Sequence, residues 1–294
     1  MNNKLLLDFP NALPDEPLSK HTSFRIGGPA DVFLMPKRAD ELIEVLERCK
    51  MFGFPFTLIG DGTNVLVVDD GIRGIVVTTK QMNGYEFTED GRLKAFAGAR
   101  LGKLAEEACN RSFDGLAFAS GIPGTVGGAV FMNAGAYGSE IGDIVESVVV
   151  YGNKKIVLSK EEMKFGYRRS VLQDDNKTLL EVNLQLKKGV KQDIRKKMTE
   201  LNTRRKESQP LDSFSAGSTF KRPPGGFASE LIDKAGLKGK QIGGARVSDK
   251  HAGFIINTGN ASAKDVLELM EAVRRKVFES YGVCLEPEVR VLGA

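Results

Sequence analysis

The residues in this chain best suited to binding chemistry are glycines gathered in three places. They concentrate in RIGGPAD at 25–31, IGDGTNVLV at 59–67 and SGIPGTVGGAVFMNAGA at 120–136. Glycine makes up 33 of 294 residues, above the roughly 7% of an average protein. A loop that wraps a pyrophosphate must turn main-chain N–H groups toward phosphate oxygens, with side chains small enough for close approach. The run Gly60, Asp61, Gly62, Thr63, Asn64 has that character, and so do Gly121, Gly124, Thr125, Gly127 and Gly128. The first loop lacks the third glycine of the dinucleotide fingerprint, and neither carries the Gly-Lys-Ser/Thr of a P-loop. Any one such loop is equally a tight turn of a β-rich domain. Two of them, together with RIGG, point to a large, extended, anionic cofactor.

Other chemistries find little support. Cys49, Cys109 and Cys284 are odd in number and lack zinc-ligand or redox spacing. Cys49 falls in phase with Leu42, Val45 and Leu46, and Cys109 with Leu101, Ala105 and Ala108, as buried packing residues do. His21 and His251 are the two histidines, and neither stands in a hydrolase or metal motif. No metal is expected. The net charge of +4 comes from interleaved acids and bases, and the pI of 8.8 falls short of a nucleic-acid-binding domain. No nucleic-acid partner is expected. The apolar runs are too short for a membrane span, and the N-terminus lacks the long apolar stretch of a signal peptide. A cytoplasmic monomer without membrane insertion is the expectation.

These loops need elements to hold them. Residues 30–36 read as a first strand, and 40–53 as an amphipathic helix stopped by Gly53 and Pro55. Strands follow within 55–79 and over 93–99, then a helix over 101–112 and a strand over 145–152. The glycine-free, charged segment 190–210 reads as a connecting helix. Beyond Pro210 the pattern restarts: a short strand at 218–220, a helix over 227–237, a strand over 253–257 and a long helix over 262–282. That last helix opens with a capping box from Ser262 to Asp265, and a strand-like 285–292 ends the chain. The expected division is an N-terminal segment 1–22, a cofactor domain 23–189, the helix 190–210 and a second α+β domain 211–294.

Taken in order, HTSFRIGGPAD, IGDGTNVLV, SGIPGTVGGAVFMNAGAYG, FGYRRS (165–170), AGSTFKRP (216–223) and LEPEVR (285–290) cover nearly the whole chain. In this order they resemble the UDP-N-acetylenolpyruvoylglucosamine reductase family of peptidoglycan precursor synthesis. The resemblance implies an α+β fold: a two-part FAD-binding domain of the vanillyl-alcohol-oxidase class and a C-terminal substrate domain. It implies FAD and NADPH as cofactors and a UDP-sugar as substrate. NADPH would reduce FAD, and hydride would pass from flavin N5 to the enolpyruvyl methylene carbon before protonation of its neighbour gives UDP-N-acetylmuramate.

On this resemblance Arg25, Asn133 and Gly135 join the two loops as cofactor-binding residues. Arg168 matches the arginine that stabilises the charge developing at the carboxylate. Ser218 matches the proton donor, and Glu288 the acid that assists it. An ionised glutamate beside a substrate carboxylate is unfavourable, so a shared proton is expected there. Tyr167 and Lys221 fall at substrate-contact positions. By residue chemistry alone each has an ordinary reading: Arg168 as a surface ion-pair partner, Ser218 as a turn residue after Gly217, Glu288 as an edge-strand residue. Arg204 and Arg205 either face the UDP pyrophosphate or are solvated on a charged helix. The chain departs from the family's long form in a short segment between Arg168 and Ser218, and Arg222 stands where many relatives have asparagine. Another FAD oxidoreductase of the same class, or a nucleotide-binding module without catalysis, would share the glycine loops without needing GSTFK and LEPEV.

Overall fold

The computed structural model describes Phe9 and residues 11–293. Most of the N-terminal stretch that bears on a signal peptide therefore lies outside the described residues. The chain forms two units. One is built from the chain up to Phe33, Gly62–Val76 and the chain from Lys206 onward; the other is Leu34–Asp61 and Val77–Arg205.

The second of these is centred on a five-stranded antiparallel sheet. Its order is Lys155–Ser159, Val145–Tyr151, Thr178–Gln185, Arg92–Phe96 and Tyr85–Phe87. Along Thr178–Gln185 the side chains of Val182 and Leu184 are fully buried while Glu181 and Asn183 are not, the period-two signature of a strand with one covered face. The helix Leu101–Asn110 covers it with Leu101, Leu104, Ala105, Ala108 and Cys109, an unbroken i, i+3, i+4, i+7, i+8 stripe. The helix Ala39–Phe52 ends as its sequence requires: Gly53 takes a left-handed φ of 67° and donates its N–H to the last carbonyls. The helix Lys191–Ser208 fully buries only Ile194, Met198 and Leu201, a narrow stripe that leaves most of its charged side chains in solvent.

The other unit packs the helices Ala228–Lys234 and Ala263–Tyr281 against the antiparallel strands Gln241–Ile242, Ala245–Val247 and Ile255–Asn257. The strand Arg290–Leu292 runs parallel to Val65–Val67. Residues 218–220 do not form the expected strand, because only Phe220 makes an isolated bridge, to Pro287. Likewise Glu288 precedes the last strand rather than lying within it. The long helix carries the expected capping box: the Ser262 hydroxyl accepts from the Asp265 N–H, and the Asp265 carboxylate accepts from Ser262. The same carboxylate accepts a 3.0 Å bond from the Gly244 N–H. Asp69, far away in sequence, takes the N–H groups of Ala263 and Lys264 at 2.8 and 3.1 Å.

Among the described residues no helix is long and apolar enough to cross a membrane, and no group of three His, Cys, Asp or Glu side chains could hold a metal.

Main-chain bonds from Gly244 and Ser262 hold the Asp265 carboxyl below its ordinary value. A carboxylate depressed in the folded state stabilises above its unfolded value of about 3.9, and the contribution is lost as pH falls through the folded value. Asp265→Ala should cost about 1 kcal/mol at neutral pH. Thermal melts across pH should show the variant and parent converging in acid.

Candidate active site

The glycine loop at 60–64 passes from one unit to the other between Asp61 and Gly62. In the unit that contains the C-terminal segment, Gly62 has φ 68°, and a Cβ there would lie 2.0 Å from the His21 carbonyl, so no other residue fits. The Gly62 carbonyl accepts from the Ser23 N–H at 3.0 Å, and the Ser23 hydroxyl donates to the Ser215 carbonyl at 2.6 Å. Arg25, at φ 53°, follows in the same turn, with its guanidinium 4.2 Å over the Phe214 ring.

Three motifs remote in sequence meet in this unit. The Asn64 side-chain amide donates to the Glu288 carbonyl at 3.1 Å. The Arg290 N–H returns a 3.1 Å bond to the Asn64 carbonyl, and the Glu288 N–H donates to the Thr219 carbonyl at 2.8 Å. Thr219 is buried; it donates its N–H to Gly253 at 2.8 Å, and its hydroxyl accepts from Ile255 at 3.1 Å. Ser218 and Glu288 therefore sit on segments locked side by side, both half-buried. Gly217, at φ 78°, leaves open space before Ser218. The Lys221 N–H donates to the Glu286 carbonyl at 2.8 Å, and its ammonium lies 3.3 Å from the Glu286 carboxylate.

In the other unit Gly60 faces Thr125: a Cβ on Gly60 would lie 2.7 Å from the Thr125 hydroxyl. Thr125 caps the short helix Val126–Phe131, its hydroxyl accepting from Gly128. The Gly60 carbonyl is held by the Thr78 hydroxyl at 2.8 Å, and the Gly124 carbonyl by the Leu101 N–H at 3.0 Å. Among the described residues, the N–H groups of Gly60, Asp61, Gly121, Gly124 and Thr125 donate to no protein acceptor. Beside Gly121 lies Arg205, its Cδ 3.1 Å from where a Gly121 Cβ would be. Its buried Nε has no hydrogen-bond partner, and burial pushes the guanidinium below its ordinary value. Unpaired N–H groups and an orphaned, desolvated cation are what a bound pyrophosphate would satisfy.

Several expected cofactor residues do other work. The Asp61 carboxylate lies 3.1 Å from the Lys80 ammonium, so its main chain rather than its acid is open to an anion. Gly127 is a packing glycine, since a Cβ would lie 2.7 Å from the Ala97 carbonyl, to which its own N–H already donates. Asn133 is fully buried; its amide donates to Gly166 at 2.9 Å and accepts from Gly142 at 3.0 Å, so its side chain also ties the arginine turn to Gly142. A Cβ on Gly135 would meet the Ser139 carbonyl at 2.8 Å, and the Gly135 carbonyl accepts from Arg168 at 3.3 Å.

Arg168 occupies a two-residue turn closed by reciprocal 3.0 Å bonds between Gly166 and Arg169. Its φ of 55° is a left-handed conformation that costs a non-glycine residue about 1 kcal/mol. Tyr167 is 48% exposed and lies under the Arg168 guanidinium, 5.1 Å from its ring centre. Arg205 is distinguished from Arg204 by its place on the helix Lys191–Ser208. It continues the buried stripe of Ile194, Met198 and Leu201 at helical spacing, whereas its neighbour Arg204 is exposed.

Residues 209–292 match the family described as UDP-N-acetylenolpyruvoylglucosamine reductase, C-terminal domain, and residues 30–154 match an FAD binding domain. A reductase of that name from Caldanaerobacter subterraneus subsp. tengcongensis is 52% identical over 95% of this chain and 93% of its own length. The chain belongs to the UDP-N-acetylenolpyruvoylglucosamine reductase family. The homologue of Lachnoclostridium phytofermentans is 48% identical over 100% of this chain and 98% of its own. The crystal structure of the Thermus caldophilus reductase superposes with a TM-score of 0.83 at 37% identity, covering 96% of this chain and 98% of that one. The fold is thus the expected FAD-binding domain followed by the reductase C-terminal domain, and the protein is an FAD-binding oxidoreductase. The expected cofactors, FAD and NADPH, are those of the family.

Arg205→Ala should weaken flavin retention about 10- to 100-fold, the worth of one charge-assisted contact. Arg204→Ala should leave it unchanged. Flavin fluorescence released on dilution reads both.

Proposed function

We propose that the protein reduces the enolpyruvyl ether of UDP-N-acetylglucosamine enolpyruvate to UDP-N-acetylmuramate, with NADPH as reductant. The observation that carries this reading is the convergence of IGDGTNVLV, GSTFK and LEPEV through Asn64, Thr219 and Glu288. A turn-rich scaffold or a binding module has no need to hold a serine, a glutamate and a glycine loop together. On this reading segment 23–189 carries the flavin, 211–294 carries most substrate contacts, and the helix 190–210 links them.

The N–H groups of Gly60, Asp61, Gly121, Gly124 and Thr125, with Arg205, would hold the phosphates of FAD. When bound, FAD supplies the two electrons of NADPH to the methylene carbon as a hydride equivalent. Arg168 offers its planar fork of donors to the substrate carboxylate, where negative charge grows as the double bond is reduced. Ser218 delivers its hydroxyl proton to the carbon beside that carboxylate. Glu288 assists at the carboxylate end and shares a proton there, because two ionised carboxyl groups would repel. Tyr167 and Lys221 contact the UDP-sugar. The nearest other reading is a different FAD oxidoreductase of the same domain class, which would not require Ser218.

The test is optical and anaerobic. NADPH should bleach the flavin, and one equivalent of the enolpyruvyl UDP-sugar should restore its colour. Ser218→Ala should keep the flavin and its bleaching but slow the return of colour about 10²- to 10⁴-fold. Return of colour at the parent rate in that variant would remove Ser218 as the proton donor. A bleached flavin that the UDP-sugar cannot restore in the parent protein would leave the other oxidoreductase as the answer.

A further inference from the structure

Arg168 sits where glycine or asparagine is the ordinary choice. It is the third residue of the turn Gly166–Arg169, at φ 55°, and such turns favour residues without a left-handed penalty. A strained conformation persists when its surroundings over-determine it. Here the surroundings can be named. The Gln173 side-chain amide donates to the Arg168 carbonyl at 2.9 Å and to the Phe131 carbonyl at 2.9 Å. The buried Ser170 hydroxyl also donates to Phe131, at 2.8 Å. Asn133 holds the Gly166 carbonyl at the other corner of the turn.

Phe131 closes the short helix whose first residue follows Thr125. One end of that helix therefore borders the loop with free N–H groups, and the other end is tied to the Arg168 carbonyl through the Gln173 amide, with Ser170 and Asn133 bonding alongside. We propose that Gln173 is a positioning residue: its amide bridges the Phe131 and Arg168 carbonyls and fixes Arg168 at a set distance from the phosphate-binding loop. The inference rests on the reading that Arg168 engages the substrate carboxylate. Gln173 would act through the main chain of Arg168, with both amide protons already spent on carbonyls. A glutamine five residues downstream of the arginine, on the short helix Val171–Gln173, has the reach for both carbonyls.

The test is a double-mutant cycle on the flavin-loaded enzyme with Gln173→Leu and Arg168→Ala. Gln173→Leu keeps the side chain's bulk and removes its donors. Should Gln173→Leu lose its flavin, Gln173→Met, unbranched and also without donors, is read in its place. Three quantities are measured: flavin bleaching by NADPH, colour return with the enolpyruvyl UDP-sugar, and calorimetric affinity for UDP-N-acetylmuramate, which bears the same carboxylate. Gln173→Leu should leave bleaching unchanged, slow colour return about 10- to 100-fold and weaken product affinity. Neither loss should recur when the change is made on the Arg168→Ala background. If the Gln173 losses are instead undiminished on that background, Gln173 does not act through Arg168 and the proposal falls alone. If Arg168→Ala by itself changes neither colour return nor affinity, the role of Arg168 falls and takes this inference with it.

Discussion

A loop that keeps its N–H groups free for an anion must be held by everything else it has. Its carbonyls and side chains then carry the whole of its main-chain pairing, because a buried polar group left unmatched is costly. The loops obey this. Gly60 is held through its carbonyl by Thr78, Gly62 by Ser23, Asn64 by Arg290 and Gly124 by Leu101. Asn64 adds its side chain, spent on Glu288. Among the described residues, the N–H groups of Gly60, Asp61, Gly121, Gly124 and Thr125 meet no protein acceptor, and the rest of the architecture can be understood as the supply of partners that hold these few residues.

That supply comes from far away in the chain, which sets the fold's topology. Arg290 reaches Asn64 because Arg290–Leu292 pairs in parallel with Val65–Val67, and a parallel pair cannot be closed by a short turn. The intervening chain has room for a complete sheet, its helices and a second core. Strain collects at the same places. Arg25, Asn133, Tyr137 and Arg168 are four of the non-glycine residues with positive φ, and all four lie in or beside the motifs that carry chemistry. Asn133 and Gln173 show how the strain is tolerated: each spends its amide on main-chain carbonyls of the arginine turn.

Much of this was legible in the residues. Gly53 with Pro55, and Ser262 with Asp265, marked helix ends that the structure reproduces, because capping depends on neighbours a few positions apart. The stripe through Leu101, Ala105 and Ala108 announced a buried helix face, including Cys109. The FAD-binding and reductase C-terminal regions were readable from motif order, which survives whatever the packing does. Less visible was the work of individual glycines. Gly60 and Gly127 look alike in sequence, yet one leaves its N–H open and the other donates to Ala97. Density of glycine signals close approach without naming what approaches.

The sequence by itself determined the local elements, the loops able to meet phosphates and the family to which the chain belongs, since each of these rests on residue type and near spacing. Only the tertiary structure decided that residues 218–220 run without a strand, that Asn133 serves the arginine turn and that Arg205 lies desolvated beside Gly121. It also decided that Asn64, Thr219 and Glu288 share hydrogen bonds across more than two hundred residues. Those outcomes depend on which remote carbonyl happens to face which donor, and that is a property of the folded chain, absent from any short run of its residues.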